Sequence, residues 1–83
     1  MTAKLRQLSG RDVASALRTF GFEVVSTRGS HAKLRRVLPD GTRQALTIPL
    51  HDSLAIGTTR ALCRQAARYI SEGQLRPFFF TES

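Results

Sequence analysis

With 83 residues, 13 Lys+Arg against 6 Asp+Glu and a net charge of +7, the chain reads as one small basic domain. A chain this short buries only about 60% of its unfolded surface, so no large substrate cavity or cofactor domain is hidden inside it and any site lies on the surface. The charge excess points to a polyanionic partner, and the lack of both a run of about 18 apolar residues and a signal-peptide pattern predicts a soluble, cytoplasmic protein with no membrane span.

The elements read in chain order as α-β-β-β-α. Ser9 caps a first helix with Asp12 three residues on, and Val13, Leu17 and Phe20 recur on one face until Gly21 stops it. Phe22 to Arg28 alternates as a strand, with Phe22 and Val24 on one side and Glu23, Val25 and Thr27 on the other. Gly29-Ser30 turns the chain, and strands from His31 to Leu38 and from Thr42 to Leu50 flank Pro39-Asp40-Gly41, a strong hairpin signal. A three-residue turn there sets Leu38 opposite Thr42, Leu34 opposite Leu46 and Ala32 opposite Ile48, an apolar face on which Arg36 is the misfit. The other face then carries His31, Lys33, Arg35, Thr47, Pro49 and, at the strand exit, His51 as a diagonal neighbour of His31, roughly 7–8 Å away. Asp52 to Gly57 is a loop, and Thr58 opens a second helix with Leu62, Ala66, Tyr69 and Ile70 inside, Gly73 as its stop and Arg60, Arg64 and Arg68 as a basic ridge.

Histidine is the side chain suited to both giving and taking protons near neutral pH, and here it heads a strand with cations at alternate positions. The combination points to chemistry on RNA, whose 2′-hydroxyl is a built-in nucleophile. His31 is placed to act as general base, Lys33, Arg35 and Arg28 to hold phosphate, and His51 to protonate the leaving 5′-oxygen. The competing reading of His51 is a strand-end residue hydrogen-bonded to Asp52 or Ser53. Gly29 serves a backbone with positive φ and close approach of a substrate, and Ser30 supports the turn; no carboxylate is expected beside His31 to complete a serine triad. Arg60 and Arg64 read either as a phosphate track or as a solvated helix face. The lone Cys63, beside Leu62 and Ala66, reads as a buried thiol, and one cysteine with two distant histidines makes no zinc-ligand spacing, so no metal or other cofactor is expected.

Leu-Ser-Gly-Arg-Asp at 8–12, Gly21-Phe22-Glu23, Gly29-Ser30-His31, Ile48-Pro49-Leu50-His51 and Gly57-Thr58 together resemble the HicA (YcfA-like) toxins of bacterial toxin–antitoxin pairs, over about Leu8 to Ala67. The resemblance implies an α+β fold like the double-stranded RNA-binding domain, with two helices on one face of a three-stranded antiparallel sheet. It also implies translation-independent cleavage of mRNA, with the histidine of the Gly-Ser-His motif, His31, as the catalytic residue. The implied partner is a HicB-like antitoxin covering the His31 face. The whole chain, 1–83, is then one such domain with a divergent tail at 74–83. There Pro77 is expected to block a helix, and Phe78-Phe79-Phe80 either cover the helix layer in a loose tail or anchor a partner protein. The alternative from another class is a non-catalytic double-stranded RNA-binding module, for which the basic face alone suffices. A DNA-binding repressor fits less well, because the whole sheet separates the two helices.

Overall fold

The computed structural model describes residues 3–81. The chain forms α1 (Gly10–Thr19), β1 (Glu23–Arg28), β2 (His31–Val37), β3 (Arg43–Pro49), α2 (Ile56–Ala66) and α3 (Glu72–Phe79). The three strands make one antiparallel sheet in the order β1-β2-β3. The α-β-β-β-α arrangement of an α+β fold is therefore present, with a third helix after it.

Local chemistry starts α1 where expected. The Asp12 backbone N–H donates to Ser9 Oγ at 3.0 Å and the Ser9 N–H donates to Asp12 Oδ2 at 2.9 Å, a reciprocal capping box. The Ser9 N–H, and after it the Ser9 hydroxyl, hold the Asp12 carboxyl below its ordinary pKa. Gly21, at φ +94°, then releases the chain from the helix. The hairpin register is the one the apolar pattern requires: Leu34 faces Leu46, Ala32 faces Ile48 and His31 faces Pro49. Its turn closes through Leu38 N–H to Thr42 O and Gly41 N–H to Leu38 O, both 2.8 Å, with Asp40 Oδ1 accepting from the Thr42 N–H.

The helices cover β2 and β3 and leave β1 exposed along its whole length. Phe22, Leu17, Leu34, Ile48, Leu54, Leu75 and Phe79 form the centre of the core, and burying each such side chain contributes about 1.5–3 kcal/mol. Arg36, the cation on the core face, is a staple. Its guanidinium donates to Gln44 Oε1 (2.8 Å), Phe20 O (3.0 Å) and Tyr69 O (3.0 Å) and lies 4.9 Å from the centroid of the Phe22 ring. One side chain thus joins the end of α1, the sheet and the turn after α2.

Three expectations are corrected. First, β1 does not alternate evenly: a bulge between Val24 and Ser26 absorbs Val25, so Thr27 faces Ala32 and Ser26 faces Lys33. Second, α2 ends at Ala66 rather than at Gly73, in a turn closed by Arg68, Tyr69 and Ile70 N–H groups. Arg68 therefore drops off the helical ridge. Third, the tail is neither loose nor barred from helix by Pro77. Ser71 caps α3 by accepting from the Gln74 N–H, Pro77 sits inside the helix at the loss of one backbone bond, and Phe79 is fully buried. Phe78 packs edge-on against Phe20 at 5.4 Å, and Phe80 bridges to Leu5.

Candidate functional site

The open face of the sheet assembles most of the residues singled out. His31 opens the central strand, flanked by Arg28 on β1 and Pro49 on β3. Directly opposed residues of an antiparallel pair share a face, so Arg28 and His31 stand side by side. The β1 bulge is what brings Arg28 there, because an unbroken alternation from Val24 would have turned it to the helix side. Lys33 and Arg35 follow His31 on the same exposed face, in step with the buried Ala32 and Leu34. Gly29 takes φ +54° in the turn before His31, and a β-carbon there would meet nothing within 4 Å, so the turn leaves open space beside the histidine.

His51 joins this face from beyond β3. Its ring lies 6.5 Å from the His31 ring, with the planes 69° apart, and both histidines are exposed. Backbone contacts hold the pair in place. The Leu50 N–H donates to Ser30 O, extending the β2–β3 ladder into the Gly-Ser turn, and the Gly10 N–H donates to His51 O at 2.8 Å. Three further hydrogen bonds fix the loop that follows: Leu54 N–H to Leu8 O at 2.8 Å, and Gln7 Nε2 to Ser53 Oγ (2.9 Å) and to Leu54 O (2.8 Å). Ser53 Oγ is thus engaged by Gln7.

Gly10 is the residue that the sequence reading missed. A β-carbon at this position would come within 1.9 Å of Pro49 O and 2.7 Å of Leu50 Cα. The N-terminus of α1 therefore packs directly on the backbone that delivers His51. No local signal announces this, since the partner lies far along the chain.

Arg60 and Arg64 belong to a different surface. They lie on the helix layer, lining with Cys63 a groove of about 820 Å³ between α2, α3 and the segment around Leu5. Cys63 is half-buried rather than buried; desolvation, then the charge of Glu72, pushes its thiol pKa up. Among the described residues no three His, Cys, Asp or Glu side chains converge, so no metal donor set can be named, and no helix is long and apolar enough to cross a membrane.

The open face offers two imidazoles for proton transfer and three cations, Arg28, Lys33 and Arg35, for a polyanion. A family model described as the HicA toxin of bacterial toxin–antitoxin systems matches residues 10–67, more than half of the chain. No curated protein and no solved structure gives a significant match.

Proposed function

Because the chain belongs to the HicA toxin family of bacterial toxin–antitoxin systems, we propose that it is a toxin acting as a metal-independent endoribonuclease on mRNA in the cytoplasm. The observation that carries this reading is the pair of exposed imidazoles 6.5 Å apart on a basic sheet face. At that separation both exposed rings can reach one phosphodiester.

In this scheme His31 takes the proton from a 2′-hydroxyl. The oxygen attacks the adjacent phosphorus, the bond to the 5′-oxygen breaks, and protonated His51 supplies a proton to the leaving oxygen. The products are a 2′,3′-cyclic phosphate and a 5′-hydroxyl. Arg28 and Lys33, next to His31 on β1 and β2, steady the charge that builds on the phosphate, and Arg35 extends the track along the strand. Gly29 and Ser30 keep the approach to His31 low. Each acid–base group contributes about 10²–10⁴-fold.

Family membership implies an antitoxin partner, and the same reading puts a HicB-like antitoxin over the His31 face. Its carboxylates would meet Arg28, Lys33 and Arg35, giving fast, salt-sensitive association.

The test is RNA cleavage in EDTA by wild type, His31→Ala and His51→Ala at equal concentration. His31→Ala is expected to lower the rate by at least about 10²-fold while RNA binding persists. If His51→Ala cleaves as fast as wild type, the two-histidine scheme fails and His51 is a structural residue. RNA binding without cleavage by wild type would instead favour the double-stranded RNA-binding module, for which the cationic face is enough.

A further inference from the structure

The groove between α2 and α3 has no part in the chemistry described above. Its apolar lining, the half-buried Leu5, Cys63 and Phe80 with the more exposed Ile56, serves as a floor, and the exposed Lys4, Arg60, Arg64 and Arg76, against the single acid Glu72, serve as a cationic rim. Ile56 is 40% exposed although it is a large aliphatic side chain. The volume, about 820 Å³, falls in the range of sites that hold several side chains or a ligand. Much of the wall comes from α3 and the segment around Leu5, which lie outside the family match.

We propose that this groove docks an acidic segment of a partner protein, with its apolar side chains on the Leu5–Ile56–Phe80 floor and its carboxylates on the rim arginines. Charge complementarity decides the sign of the partner, and the floor decides its class. A nucleic acid would satisfy the arginines but present phosphate and sugar to an apolar floor. The one aromatic ring available for base stacking, Phe80, already has the Arg76 guanidinium 5.6 Å from its centroid. A peptide supplies both kinds of contact. Arg60 and Arg64 are four residues apart on α2, so their Cα atoms are separated by about 6 Å along the helix axis, which matches carboxylates four residues apart on a docked helix. The proposal is independent of the ribonuclease reading, because no residue of the groove lies on the histidine face.

Cys63 is the only cysteine of the chain and lies on the groove floor, so its alkylation reports occupancy directly. The experiment uses the whole protein and a synthetic 16-residue peptide of glutamates with leucines every three or four positions. Its companions are the same peptide with serine for leucine and a short RNA oligonucleotide. Binding is read by fluorescence anisotropy and occupancy by the rate of iodoacetamide labelling. The leucine peptide is expected to slow labelling about tenfold at saturation and to bind at least about tenfold tighter than the serine peptide. Arg60→Glu with Arg64→Glu should weaken it about tenfold or more, whereas His31→Ala should leave it unchanged. Unprotected Cys63 in wild type under saturating leucine peptide overturns the proposal, and this reading needs no variant to fold. Equal affinity of the serine peptide, or equal protection by the RNA, overturns it as well.

Discussion

Gly10→Ala sets two forces against each other. Helix propensity favours alanine over glycine by at most about 1 kcal/mol, so a reading of α1 in isolation predicts a more stable protein. The tertiary structure predicts the reverse. The new β-carbon would lie 1.9 Å from Pro49 O and 2.7 Å from Leu50 Cα, whereas ordinary contacts begin at 3.4 Å. Both neighbours are backbone, so α1 or the 49–51 segment has to shift by more than an ångström. Overpacking of this kind costs about 1–3 kcal/mol, and the shift sacrifices the Gly10 N–H bond to His51 O, worth about 1 kcal/mol. After the helical gain is subtracted, the net loss is about 1–3 kcal/mol. Urea unfolding followed by circular dichroism measures it, and the His51 resonances in a heteronuclear NMR spectrum should move more than those of Lys33. A variant as stable as wild type or more so, with the His51 signals unmoved, refutes the argument that α1 positions His51.

Arg36→Met removes three hydrogen bonds to acceptors on three different elements; a loss of about 2–4 kcal/mol is expected, with Arg36→Lys intermediate because one ammonium cannot span all three acceptors. A loss below about 1 kcal/mol for Arg36→Met in thermal denaturation would show that the staple does not hold. Phe79→Ala, at a fully buried position, should cost about 3–5 kcal/mol and Phe80→Ala clearly less; equal effects in the same melt would mean that α3 is not part of the core. Asp12 and Asp40 both have lowered pKa values, Asp12 from the Ser9 N–H and hydroxyl and Asp40 from the Thr42 hydroxyl and N–H. Their contribution is complete above the ordinary carboxylate range and is lost as pH falls through the lowered folded values, below about pH 4. Asp12→Asn with Asp40→Asn should therefore flatten the acid limb of stability against pH, and an unchanged limb contradicts this.

The composition, the capping box at Ser9 and Asp12, the Pro39-Asp40-Gly41 turn and the period-two apolar pattern of β2 and β3 are local signals. Each stands within a few residues of what it controls. They were enough to determine the register, the basic open face and the placing of His51 beside His31, because a one-residue slip would have put charge on the core face. The start of α3 was missed, although a cap signal stands there in Ser71 followed three residues later by Gln74; Gly73, Pro77 and three adjacent phenylalanines concealed it.

Other features depend on contacts between distant parts of the chain. The bulge that turns Arg28 toward His31 lies in an edge strand, and nothing in Glu23–Arg28 marks where the extra residue falls. Gly10 is a glycine because the carbonyl of Pro49 lies against it. Arg36 is tolerated on the core face only because Phe20, Gln44 and Tyr69 bring three acceptors to it. Arg60 and Arg64, one ridge on a helical wheel, become the rim of a groove once α3 folds back beside α2. Sequence periodicity states which side of an element faces inward; which other element meets it is decided by packing, where the energies of distant contacts are summed over the whole chain.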